Sequence, residues 1–406
     1  MKARHLVPAL AAMLLVAAAL GGGVLYAQAV EREYAHALAP RHVPLNVTGR
    51  ALQVAALQQP DLLPVYGASE VLNQPSAYQA SQFFATYPTG FTTFEVAKGG
   101  VTSIIVAEEL AAVAPDLRGK KIVISYTPSQ FMSKMVGETN YAGLFSRLHA
   151  NELAFSTVLS LATKQQAARR MVQYPQTLDK DPVLQFALEQ LADGSPLHLL
   201  LYDAVFPLGK LQTLVLELQD QWQTLTYIEA QKNLNPNVTR QPAWIDWQAL
   251  AFKARQEQIP NSIDNPFGFD NTVWSSRIRA GFRIKANGSA DTGYLNAMDN
   301  SAEWTDLDIA LRILKDAGAQ PLLLGRPMNA DYYSALGISE SAQQQFYIKL
   351  HQVAQRYGVP VVDFQDHAQD KYFGVDPAPH TSREGWVYVD QAMDAFYHGV
   401  LKPPVD

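Results

Sequence analysis

Ser69 stands in Gly67-Ala68-Ser69-Glu70, directly after an apolar run, Leu62-Leu63-Pro64-Val65-Tyr66, that reads as a short buried strand. A strand that stops at a glycine turns sharply, and small neighbours let a hydroxyl stand clear at the carboxyl end of a sheet, where open α/β sheets place their sites. A serine hydroxyl is a poor nucleophile at neutral pH; it needs a base within hydrogen-bond reach and a third group to orient that base. Among nine histidines, His380 is the best placed, because Asp376-Pro377-Ala378-Pro379-His380 is a proline-stiffened loop that fixes side-chain direction. Asp376 is the natural partner to hold the imidazole tautomer and stabilise the imidazolium that forms on attack. On spacing alone, an aspartate and a histidine four apart more often mark an ordinary turn with a surface histidine. His149, His198 and His351 lie on helical patterns, and His367 and His398 have no nucleophile beside them. With no cysteine, no His-x-x-x-His and no carboxylates clustered at ligand spacing, neither a thiolate nucleophile nor a metal centre is expected, and no cofactor is required.

The elements that must position these residues read as strand, helix and strand in succession. Further strand-like runs occur at Lys121 to Tyr126, Gln320 to Leu324 and Val359 to Phe364. Helical periodicity marks Ala302 to Ala317, which stops at Gly318, and Glu340 to Tyr357, which stops at Gly358. The succession predicts an α/β fold with a parallel sheet and right-handed crossovers. From about 141 to 256 the pattern is helical and rich in Leu, Ala and Gln, with loop signals at Asp193-Gly194-Ser195-Pro196 and near Asn233 to Pro236. This predicts a helical insertion that either forms a lid over the site or completes the core.

At the N-terminus Lys2, Arg4 and His5 precede an uncharged apolar run from Leu6 to about Val30, with Glu31 and Glu33 after it. At about 1.5 Å per residue, such a run crosses a hydrocarbon core roughly 30 Å thick. The charge asymmetry predicts a single-pass cell-membrane anchor over residues 1–30 with a cytoplasmic N-terminus and the remainder outside. Ala27-Gln28-Ala29 also has the form of a signal-peptide cleavage site, although the apolar run exceeds the usual length of such segments. No second stretch reads as long enough to span. Residues 31–60 read as a polar connector, and 61–406 as the working domain. A formal charge of −6 with no Lys/Arg cluster excludes nucleic acid as the expected partner, and 48% hydrophobic content over 406 residues excludes wholesale disorder.

Blocks of sequence in fixed order then resemble one family. Pro64 to Glu70 is similar to the Gly-Ser-Ser-Glu nucleophile block of the DltD family of D-alanyl transfer proteins. The similarity continues through Lys98-Gly99-Gly100-Val101-Thr102-Ser103, Ile124 to Phe131, Asn265-Pro266-Phe267-Gly268 and Ser301 to Leu307. It extends to Arg326 to Tyr333, then from Tyr372-Phe373 to His380 and Gly385 to Tyr388. The resemblance implies a three-layer, flavodoxin-like SGNH-hydrolase fold with the triad Ser69, His380 and Asp376, and D-alanyl transfer to a teichoic-acid-like glycopolymer through an acyl-serine. It implies as partners a membrane acyltransferase of the MBOAT type and, indirectly, a D-alanyl carrier protein. The oxyanion donors it implies are the amides of Ser69 and Gly100, with Gln130 or Ser129 supplying the third. Where the family has Asp-x-x-His, this chain has Asp376-x-x-x-His380, so Asp363, Asp366 and Asp370 remain rival acids. A carbohydrate O-acetyl esterase or transferase on the same fold, and a non-catalytic scaffold for the acyltransferase, stand beside the leading reading.

Overall fold

The computed structural model describes residues 3–72, 76–132, 136–231, 233–235, 244–378 and 380–401. Pro379 and the loop signal at Pro236 lie outside them. Five strands, β1 (Leu62–Gly67), β2 (Thr92–Ala97), β3 (Lys121–Ser125), β4 (Gln320–Leu324) and β5 (Val361–Val362), pair in parallel in the order β2-β1-β3-β4-β5. This is the flavodoxin-like order, and its switch point, where successive connections leave to opposite sides, lies between β1 and β3. The turn carrying Ser69 follows β1 and therefore opens at that point.

Alternation along each strand divides the core in two. Leu62 and Tyr66 of β1 face the helices Ser103–Ala112, Glu303–Ala317 and Glu340–Gln355, whereas Leu63 and Val65 face Ala80–Thr86, Trp247–Gln258 and Arg383–Tyr397. Helices on both faces of a parallel sheet give the three-layer α/β architecture anticipated from the sequence. The Glu303–Ala317 helix ends as expected at Gly318, whose φ of 72° is left-handed.

β2 was not anticipated. Its residues Thr92, Thr93 and Glu95 are polar yet buried, and Glu95 is satisfied by Gln79 Nε2 and the Ser81 amide, so the strand lacks an apolar signature. β5 is shorter than the apolar run 359–364, because only Val361 and Val362 pair with β4. The helices between β3 and β4 mostly complete the core: Leu153, Ala167, Met171, Leu184 and Leu188 are fully buried within it.

The N-terminal apolar helix runs without a break from Ala3 to Leu38, across Ala27-Gln28-Ala29, and points to a single membrane anchor. The stretch expected to be a connector is structured. Ala35 and Leu38 are fully buried, and a helix at Arg50–Leu57 inserts Leu52 and Ala56 into the core. A second helix, Pro196–Ala230, is also long and apolar enough to cross a membrane by length and composition, contrary to the expectation that no second stretch would be.

Candidate active site

β1 ends at Gly67, where a side chain would run into Val71 and the Glu70 carboxylate, so only glycine lets the chain turn this closely. Glu70 is buried and accepts the Ala68 N–H at 2.9 Å, which locks the turn from beneath. Above it, Ser69 Oγ lies 2.9 Å from His380 Nε2. His380 Nδ1 lies 2.6 Å from Asp376 Oδ2, and Asp376 Oδ1 also accepts the N–H groups of Ala378 at 2.9 Å and His380 at 3.1 Å. The Val375 N–H donates to the His380 carbonyl at 2.8 Å, and Gly374 bridges Thr381. The extra residue between Asp376 and His380 is thus absorbed in a hairpin wrapped around the Asp376 carboxylate, which brings that carboxylate back under the imidazole. Two of the rival acids are engaged elsewhere, Asp363 with His351 at 2.8 Å and Asp370 with Arg255 and His367, and it is Asp376, not Asp366, that meets the His380 ring.

Burial by itself would lower the pKa of His380. The Asp376 hydrogen bond and charge, with a smaller contribution from Glu70, outweigh it and hold the imidazole above its ordinary value. A base tuned this way suits proton uptake from a neighbouring hydroxyl.

A cleft of about 180 Å³ opens beside Ser69 and is lined also by Gly100, Ser129, Gln130 and Glu303. Gly100 follows β2 with φ of 84°, a left-handed conformation that favours glycine. Among the described residues the N–H groups of Ser69 and Gly100 have no acceptor. Gln130 Oε1 accepts the Thr127 N–H at 2.9 Å, leaving the amide NH₂ as the group available to the cleft. Ser129 Oγ is 2.9 Å from Thr127 Oγ1. Donors of this kind can stabilise an oxyanion developing near Ser69. A larger groove of about 460 Å³ lies against Val375, Thr381 and Ser382 of the same hairpin, but neither Ser69 nor His380 lines it.

A family model described as DltD protein matches residues 41–398. The chain belongs to the DltD family. It is 30% identical to Protein DltD of Bacillus subtilis (strain 168) over 354 residues, 87% of each chain. It is 23% identical to Protein DltD of Staphylococcus aureus (strain NCTC 8325 / PS 47), covering 88% of this chain and 86% of that one. Protein DltD of Lacticaseibacillus rhamnosus is 23% identical over 99% of this chain and 92% of its own.

Sequence reasoning assigned no role to several residues around this DltD-family site. Arg326, fully buried, donates to Thr381 Oγ1 at 2.6 Å and stacks 5.3 Å over the Trp386 ring. Burial lowers its pKa to about 10, with the Glu70 and Asp390 carboxylates opposing the shift. It ties the residue after His380 to the segment following β4. Tyr333 adds a bond from its hydroxyl to the Pro377 carbonyl at 3.4 Å. Glu303 accepts the Ser103 N–H on Oε2 at 2.9 Å while lining the Ser69 cleft, and burial, with Asp306 nearby, raises its pKa to about 7. Arg326 and Glu303 both fall inside the sequence blocks shared with the family, which was the available signal.

Proposed function

We propose that this protein transfers a D-alanyl group to a hydroxyl of a teichoic-acid-like glycopolymer, outside the membrane, through an acyl-Ser69 intermediate on an SGNH-like scaffold. Membership of the DltD family, whose proteins serve the D-alanylation of teichoic acids, supplies the pathway. The observation that carries the chemistry is the continuous relay Ser69 Oγ, His380 Nε2, His380 Nδ1 and Asp376 Oδ2, with steps of 2.9 and 2.6 Å.

In this reading His380 takes the Ser69 proton as Oγ attacks the carbonyl carbon of an activated D-alanyl ester or thioester. The tetrahedral oxyanion is met by the Ser69 and Gly100 amides and the Gln130 NH₂. His380 then protonates the leaving group, and a polymer hydroxyl, deprotonated by the same imidazole, resolves the acyl-enzyme. Glu303 lines the cleft, and a carboxylate there suits the α-ammonium of a D-alanyl group better than a bare acetyl group. That favours D-alanyl over acetyl transfer. The anchor would hold the domain beside an MBOAT-type acyltransferase, fed from within by a D-alanyl carrier protein.

The deciding experiment releases ester-linked D-alanine from envelopes by mild alkali, comparing a deletion strain complemented with wild type or Ser69→Ala at equal expression. Restoration by wild type alone is expected. Equal restoration by both would make the protein a scaffold, and D-alanine from neither would redirect the chemistry to another acyl group.

A further inference from the structure

The helix Pro196–Ala230 presents two opposed faces. Its inner face, with Tyr202, Gly209 and Thr213, packs on the helices Arg147–Ala154 and Pro182–Asp193. Its outer face carries Leu197, Leu200, Leu208, Leu211, Leu214 and Trp222, between 51% and 73% exposed. At about 100° per residue these six fall within an arc of roughly 120°. From Leu197 to Leu218 the positions of that stripe are apolar throughout, a length of about 32 Å at 1.5 Å per residue. Soluble proteins seldom leave so large a continuous apolar surface to water.

Continuity identifies what covers it. The C-terminal part of this helix packs against the membrane anchor: Glu31 of the anchor lies within electrostatic reach of Asp220, and Ile228 is buried in the shared core. The anchor's last exposed large apolar residues, Leu25 and Tyr26, precede Ala27 and Glu31, which are buried against the domain. The boundary between lipid and folded domain therefore lies along the surface where the apolar stripe of the long helix ends, with Tyr26 and Trp222 as aromatics of the kind that settle at membrane interfaces. A transmembrane path for the long helix is incompatible with its inner face, which is built into the domain.

We propose that the outer stripe of Pro196–Ala230 is seated in the bilayer leaflet nearest the domain, lying along the surface as a second membrane contact beside the anchor. The occupant is lipid, which supplies a wide apolar layer without matching side chains.

The chain has no cysteine, so single cysteines can be introduced one at a time into the full-length protein. Spin labels at Leu208→Cys, Leu211→Cys, Leu14→Cys on the anchor and Ser275→Cys on an exposed polar turn would be compared in phosphatidylglycerol/phosphatidylcholine nanodiscs without any other protein. The expected result is a ratio of oxygen to nickel-chelate accessibility at Leu208 and Leu211 at least about threefold above Ser275, in the direction of Leu14. Ratios equal to that of Ser275 would overturn the proposal, and the stripe would then be a surface for a protein partner. In a second arm, Leu197→Glu/Leu200→Glu, exposed positions that leave the fold intact by circular dichroism, should return the Leu208 label toward the Ser275 ratio. Unchanged lipid exposure there would also count against the seating.

Discussion

Asp376 holds the His380 ring through one oxygen and the hairpin's own amides through the other, so orientation of the base and shape of the loop depend on one carboxylate. Asp376→Asn should lower kcat by about 10⁴-fold, because the wrong tautomer is favoured at Nδ1. The sign of the accompanying pH effect follows from the same contact. Asp376 raises the His380 pKa against the lowering effect of burial, and the base works only when neutral. Wild-type activity should therefore fall on the acid side from above the ordinary histidine value, and in the variant the residual activity should fall at lower pH; a pH profile of kcat/KM reads both. At Glu303, replacement by Gln keeps the acceptor for Ser103 and removes the charge. Activity on a D-alanyl ester should drop about 10- to 100-fold, the value of a charge-assisted hydrogen bond, while an acetyl ester is processed as before. Ser69 and His380 were legible as candidates because a strand-ending glycine and a proline-stiffened loop leave marks in the sequence. The acid was not settled by spacing, since the insertion before His380 fixes a direction only once the hairpin closes. Arg326 was hidden for another reason: a buried guanidinium bonded to a threonine and stacked on an indole has no local pattern.

Helices were the easiest elements to read, because Gly318 and the period of Leu307, Leu311 and Leu314 are local signals. β2 was invisible because a strand buried on both faces that carries polar Thr92, Thr93 and Glu95 shows neither alternation nor an apolar run. That unread strand delivers Gly100 to the site. Gly100→Ala would force a side chain into left-handed backbone at a cost of about 1–2 kcal/mol, or shift the amide away from the cleft. The expected outcome is a fall in kcat of roughly 10- to 1000-fold, the range set by an oxyanion donor lost in part or whole, with thermal unfolding lowered only modestly. Single-turnover acylation of Ser69 measures the first and a melting curve the second.

At the scale of the whole molecule, the sequence indicated a membrane helix and an α/β domain but placed a connector between them where folded structure stands. Residues 31–60 escaped notice because some of their polar side chains serve inward contacts, as Gln53 does in bonding both the Thr48 carbonyl and Glu109. Cleavage after Ala29 would cut a continuous helix whose Ala27 and Glu31 are already buried in the domain, so the mature protein should keep its first 30 residues. Intact mass spectrometry of the membrane-extracted protein checks this; a chain beginning at Val30 would refute it. The unbroken run from the anchor into the core carries one more consequence. A domain hung on a flexible tether sweeps out a volume, but one welded to its stem behaves like the arm of a fixed crane. Ser69 would then work at a set height above the lipid, drifting sideways with the protein, and only stretches of polymer that pass through that thin shell would be modified.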